Sequence, residues 1–223
     1  MELLEQLGVA LGLASLAGLN LYLTVLATGA AVHFNLLQLG ERFVGLEAIG
    51  HPAVLAVAGA LFLVEFFADK IPWVDSLWDS LHTVIRPVGG ILIGLPALGQ
   101  VEPSLQIVGA LLAGGVAATT HATKASTRLV INTSPEPVSN TVASVAEDTL
   151  VLAGVGLIAF NPILALVMVA IFIGIAIYFL PRTIRMIRRT KNKVTGWLGT
   201  RPSRGNADSI LRSEDKAGAA EAS

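Results

Sequence analysis

Charged side chains recur at helical spacing inside segments apolar enough to cross a membrane, and this pairing restricts what the chain can fold into. Asp75, Asp79, His82 and Arg86 are separated by four, three and four residues, and His121, Lys124 and Arg128 by three and four. Glu65 and Asp69 stand one turn apart. Residues at such intervals share one side of an α-helix. A charge at the centre of a bilayer costs about 2.5–3.5 kcal/mol on insertion scales, so several such faces turned to lipid would be prohibitive. The simplest solution is an all-α helix bundle whose charged faces point at one another around a polar interior.

Composition agrees with a bundle in lipid. Hydrophobic residues make up 53% of the chain and charged residues 14%, with mean hydropathy +0.70. Soluble domains carry about 25% charged residues. The net charge of −1 hides an asymmetry, because ten of the fifteen Lys and Arg residues lie from Arg182 onward. Such a basic run beside a span is expected to stay in the cytoplasm. The absence of cysteine excludes disulfides, thiolate metal sites and cysteine nucleophiles. The start, Met1 to Glu5, is acidic where a signal peptide would be basic, and the apolar run after it is too long for a signal segment. It reads as a retained first span.

A span needs about 20 mostly apolar residues. Six segments qualify in this reading: Leu7–Val32, Pro52–Asp69, Trp73–Gly99, Ser104–Ile131, Asn140–Phe160 and Pro162–Leu180. The third is amphipathic in its first half and glycine-rich in its second, and Pro87 at the junction is expected to kink or break it. With six spans and a cytoplasmic tail, the N-terminus is cytoplasmic too. Lys70, Lys124 and Arg128 then fall at cytoplasmic ends, and the outer loop 33–51 holds only Arg42. The expected organisation is a multi-pass domain over 1–190 in the cell (inner) membrane, then a disordered polar cytoplasmic tail over 191–223.

A weak internal repeat accompanies this plan. A shift of 65 residues lays Pro72, Asp75, Asp79 and His82 over Pro137, Asn140, Ser144 and Glu147, and Gly89 over Gly154. Two-helix duplication would give this pattern, as in many transporters; so would chance similarity between two glycine-rich apolar helices.

The candidate ligand- or ion-binding residues are Glu65, Asp69, Asp75, Asp79, His82, Arg86, His121, Lys124, Arg128, Asn140, Ser144, Glu147 and Asp148. Intramembrane ionisable residues mark functional sites by default. Duller roles stand beside several of them. Asp69 and Lys70 suit interfacial anchors, with Lys70 snorkelling. Asp75 follows Pro72 closely and suits a helix start. The whole stripe of Asp75 to Arg86 would also fit a helix lying flat on the membrane. Asn140 suits a helix cap, and His121 a hydrogen-bonding strut. Asn20, Thr24 and Thr28 read as hydrogen-bonding glue between helices. Six acids (Glu65, Asp69, Asp75, Asp79, Glu147, Asp148) stand against four cations (Lys70, Arg86, Lys124, Arg128), so some acids hold protons or a cation fills the site.

The runs GLNLYLTVLATG, LFLVEFFADKIPWVDSLWDSLHTVIRP, HATKASTRLVINTSPEPVSN and VASVAEDTLV resemble an uncharacterised bacterial integral membrane family, catalogued as a domain of unknown function, number 4126. The resemblance covers about residues 8–180. It implies an integral membrane protein and assigns no activity, so each candidate residue rests on its own chemistry.

Three classes of function follow. A transporter or channel would bind a proton or metal cation on the carboxylates and His82, or hold an anionic solute on Arg86, Lys124 and Arg128. No cofactor is expected, although carboxylates with waters would suit a divalent cation. A structural or assembly protein would use the same charges as ion pairs. A membrane enzyme acting on lipid phosphate through Asp75, Asp79 and His82 is the least favoured, since no HExxH, GxSxG or phosphate-cradling motif is present. The expected partners are the lipid bilayer and a small ion or solute, with no nucleic acid; a homo-oligomer is left open.

Overall fold

Proline sets the helix starts. In a computed structural model, which describes residues 2–36, 41–132 and 137–199, five of seven helices begin at a proline. They are α3 (Pro52–Ala68), α4 (Pro72–Ala97), α5 (Pro103–Ile131), α6 (Pro137–Phe160) and α7 (Pro162–Gly199). Proline fits the first helical position because its missing N–H would have no intrahelical partner there and its φ is already helical. The other two helices are α1 (Glu2–Leu19) and α2 (Leu21–His33), and a 3₁₀ segment, Glu41–Gly50, precedes α3. No strand occurs among the described residues. The chain divides into two compact units, Met1–Thr183 and Ile184–Ser223. The first holds every candidate site residue. Of the second, only residues 184–199 are described, and they continue the helix of α7; the rest of the expected tail lies outside the described residues.

Two expectations need correction. The first span is not one helix from Leu7 to Val32: it stops at Leu19 and restarts at Leu21. Asn20 has extended backbone, φ −147° and ψ 102°, and its side-chain oxygen accepts the Leu23 N–H at 2.9 Å, which caps α2. Pro87, in contrast, does not break the third expected span, because α4 runs without interruption through Pro87 and Pro96. A membrane-type helix tolerates the lost hydrogen bond where neighbouring helices hold both sides of the gap. Here Arg86 is anchored just before the proline and Gly90 is wedged just after it, where an added Cβ would stand 2.5 Å from Ala117 Cβ.

Small residues bring α1, α4 and α5 into contact at the centre of the first unit. A Cβ at Gly18 would lie 2.5 Å from the Ala117 carbonyl oxygen, and one at Gly94 would lie 3.0 Å from Ala113 Cβ and 3.2 Å from the Ala10 carbonyl oxygen. Such close backbone approach is how helices associate when the surrounding medium is as apolar as their own side chains. The layer is completed by Leu13, Leu16 and Leu98, all buried.

The distribution of polarity is the reverse of a soluble protein's. The two largest fully buried side chains are Arg86 and Arg128, whereas Trp73, Leu81, Leu92, Leu111 and Phe160 are exposed. Charged residues are almost never fully buried in water-soluble folds unless paired. Three helices are long and apolar enough to cross a bilayer: α5, Val138–Phe160 of α6 and Pro162–Arg185 of α7; α1, α2 and α3 are shorter apolar helices. The molecule is a helical protein with an apolar exterior suited to lipid and a charged interior.

Candidate functional site

The interruption at Asn20 frees the last carbonyls of α1, which can no longer accept from a following turn of the same helix. Buried cations take two of them. Arg86 Nη1 donates to the Gly18 carbonyl at 3.3 Å, and Lys124 Nζ donates to the Leu19 carbonyl at 3.1 Å. A helix C-terminus carries partial negative charge, so cations there are favoured. On the other side of the break, Asn20 Nδ2 donates to Asp148 Oδ1 at 2.9 Å, which places an acid near the positive start of α2. The broken helix thus holds cations at one end and an acid at the other.

From this point an ion-pair network extends through four helices. Arg86 Nη2 meets Glu65 Oε1 at 2.5 Å. The same oxygen is 3.8 Å from Lys124 Nζ, which also lies 3.2 Å from Asp69 Oδ2 and 3.3 Å from Glu147 Oε2. Arg128 grips Glu147 with two bonds, Nε to Oε1 at 3.2 Å and Nη2 to Oε2 at 2.7 Å. Its remaining terminal nitrogen, Nη1, donates to the Asn140 carbonyl at 3.1 Å and the Asp69 carbonyl at 3.4 Å, with Asp75 Oδ1 4.0 Å away. Side-on, two-point pairing of this kind fixes both partners in orientation as well as charge. Glu65 comes from α3 and Asp69 from its C-terminal cap, Asp75, Asp79 and Arg86 from α4, Lys124 and Arg128 from α5, and Glu147 from α6.

Arg86 also determines the state of His121. Arginine can only donate, so the 2.8 Å contact of its Nη1 with His121 Nδ1 requires that nitrogen to be bare. His121 Nε2 then carries the hydrogen and donates to the Asp79 carbonyl at 3.1 Å. His121 is a neutral strut locking α5 to α4, the duller of its two expected roles. His82 is built differently. Its Nδ1 donates to the Trp78 carbonyl at 2.8 Å, and its Nε2 accepts from the Tyr22 hydroxyl at 3.1 Å. Tyr22 in turn lines an apolar cleft of about 530 Å³ whose walls include Val25, Val57, Leu61 and Leu92. His82 therefore sits where the polar interior meets an apolar groove, outside the ion-pair chain.

Asp79 is the least satisfied member. Arg86 Nη1 stands 3.4 Å from its Oδ1 but aims its hydrogens at Gly18 and His121, leaving both Asp79 carboxylate oxygens buried without a hydrogen-bond donor. Glu65 Oε2, Asp69 Oδ1 and Asp75 Oδ1 also lack donors. On α6 the Asn140 side chain and the Ser144 hydroxyl are buried with no partner. Asn140 is not the helix cap that the sequence suggested: α6 begins at Pro137, the Asn140 carbonyl anchors Arg128 and its amide is held inside. Buried polar groups left unpaired are costly, and these lie together on α3, α4 and α6 around the ion-pair network.

The charge balance keeps the surplus of two acids counted in the sequence. Lys70 makes no ion pair with the buried network, and its charge acts on Asp148 and Asp69 at the edge. Its Nζ donates to the Phe66 carbonyl at 2.8 Å and lies 3.0 Å from the Phe66 ring centroid, the anchor role rather than the counter-ion role. Arg86, Lys124 and Arg128 face Glu65, Asp69, Asp75, Asp79 and Glu147, three cations to five acids, and Asp148, held by Asn20, lies toward Lys70. The acids are separated by the cations, and among the described residues no three His, Asp or Glu side chains are grouped to hold a metal ion. Asp75, Asp79 and His82 do not converge either, since His82 turns both ring nitrogens to other partners.

Sequence reasoning missed the parts contributed by backbone and by uncharged residues. Asn20, the Gly18 and Leu19 carbonyls and Tyr22 were not among the expected site residues, nor was Asn132, which donates to Asp75 Oδ2 and Ser76 Oγ at 3.0 Å each. The available signal was a single asparagine in the middle of an apolar run, GLNLY, where a capping residue has no other reason to be.

The profile of the family described as Domain of unknown function (DUF4126) matches residues 7–182. The chain belongs to that family. No curated protein and no solved structure matches it.

Proposed function

We propose that the protein is a membrane transporter or channel for a small ion or anionic solute, working through proton binding in the buried acid-rich network. The observation that carries this reading is the set of donor-less carboxylate oxygens beside a helix broken at Asn20. Three cations cannot neutralise five acids, and an isolated ionised carboxylate in a low-dielectric interior is strongly disfavoured. The surplus acids are balanced by protons or by a bound cation. Interruption of a helix to present free carbonyls at a buried charged site is a recurrent arrangement in secondary transporters, where unwound backbone and half-helix ends line the site. Protons suit the geometry better than a divalent ion, because the acids are interleaved with arginine and lysine instead of converging. The basic run from Arg182 suits a cytoplasmic C-terminus in the inner membrane.

The experiment is flux in proteoliposomes loaded with a pH-sensitive dye, comparing the wild type with Glu65→Gln, Asp79→Asn and Glu147→Gln. The expected result is proton movement on an imposed gradient, lost in variants that still insert and purify normally. Divalent-cation uptake without proton movement would replace the proton by a metal ion in the same site. A structural reading has one specific observation in its favour: all three nitrogens of Arg128 donate hydrogen bonds, which is how an ion-pair clamp is built. That reading predicts misassembly of all three variants and no flux in the wild type.

A further inference from the structure

Asp79 is reached from outside by its own cleft. A cavity of about 190 Å³ opens between α4 and α5, lined by Ser76, Asp79, Ser80, Thr83, Ala125, Arg128 and Leu129. At about 30 Å³ per molecule, that is space for about six waters. Its α4 wall carries hydroxyls at Ser76, Ser80 and Thr83, with Ser80 and Thr83 exposed at the mouth. The same wall carries Asp79, 5% exposed, whose two carboxylate oxygens have no donor. Nearly all other exposed positions along this helix, including Leu77, Leu81, Val84 and Leu92, are apolar. The hydroxyl seam is therefore a departure from the helix's own pattern, and it leads to the buried acid that most needs a donor.

We propose that the cleft between α4 and α5 is a water-filled half-channel that delivers protons to Asp79. The inference rests on the transport reading above and specifies its entrance. A hydronium in the cleft gives its proton to an Asp79 oxygen and leaves as water, with no change of oxidation state. The charged and titratable groups around Asp79 are Arg86, Asp75 and His82 from α4 and Arg128 and the neutral His121 from α5, with Glu65 of α3 held by the same Arg86. Protonating Asp79 removes one of the two acids that face Arg86. The guanidinium is then left to Glu65, and the effect passes through Glu65 Oε1 to Lys124. The entrance is thereby linked to the rest of the network by shared ion pairs.

The native chain has no cysteine, so single substitutions give clean probes. Ser80→Cys and Leu81→Cys would be made in the full chain, reconstituted in vesicles and exposed to a charged, membrane-impermeant thiol reagent. Only the thiolate reacts, and desolvation that raises a pKa by about 3 units cuts the thiolate by about a thousandfold. Ser80→Cys should react from one side of the membrane at a rate typical of a wet thiol, and Leu81→Cys, its lipid-facing neighbour, should not. In the wild type, a water-soluble carbodiimide, which attacks protonated carboxyls, should modify Asp79 through the cleft and leave fully buried Glu65 untouched. The proposal is overturned if Ser80→Cys reacts no faster than Leu81→Cys, or if Asp79 is unmodified at every pH. Neither probe reads flux, so a protein that passes both and conducts nothing would refute the transport reading alone.

Discussion

Arg128 concentrates the residue-scale argument. It is 1% exposed, pairs Glu147 at two points and fastens the Asn140 and Asp69 carbonyls. Removing one member of a buried pair costs about 3–5 kcal/mol, because the remaining charge is stranded. Arg128→Met should lower stability by about that amount, read as the midpoint of thermal unfolding in detergent. Arg128→Lys should recover only part of the loss, since a lysine restores charge but not the planar fork. Charged side chains were the legible part of the site: their helical spacing alone placed Glu65, Asp69, Arg86, Lys124, Arg128 and Glu147 on faces that do meet. Lys70 could not be sorted from sequence, because pairing with an acid and stacking on the adjacent Phe66 both satisfy the same spacing.

The helices show where local rules predict structure and where packing overrides them. Proline starts were read at α3, α4 and α7, while those of α5 and α6 fell just before the expected spans; the interior proline misled, since Pro87 is carried inside an unbroken α4. The real interruption is at Asn20, where no proline or glycine marks it. Asparagine breaks the helix there because its side chain competes for the backbone hydrogen bond and because the freed carbonyls have buried cations to receive them. Asn20→Ala should cost about 1 kcal/mol from the lost cap alone, and more from the stranded Asp148 partner, in the same unfolding assay. Gly18 sits two residues before Asn20 in close contact with α5, with its carbonyl on Arg86. Gly18→Val should therefore separate α1 from α5 and abolish both stability and flux, whereas substitution at Gly115, which has nothing within 4 Å, should leave both unchanged.

For the whole molecule, the division into an apolar exterior and a charged interior follows from total composition, and the sequence indicated it without any knowledge of contacts. The identity of the inner surface was harder to read, because the backbone carbonyls and the uncharged Asn20, Tyr22 and Asn132 that complete it carry no periodic signal. The central claim is that three cations share this interior with five acids, so that some carboxyls are protonated in the resting protein. The most direct measurement is infrared absorbance of the purified protein in bilayers at neutral pH, in the carbonyl stretching region of protonated carboxyl groups. The account predicts a protonated-carboxyl band that survives removal of all metal ions by a chelator. A spectrum with every acid ionised in the chelated protein would contradict it.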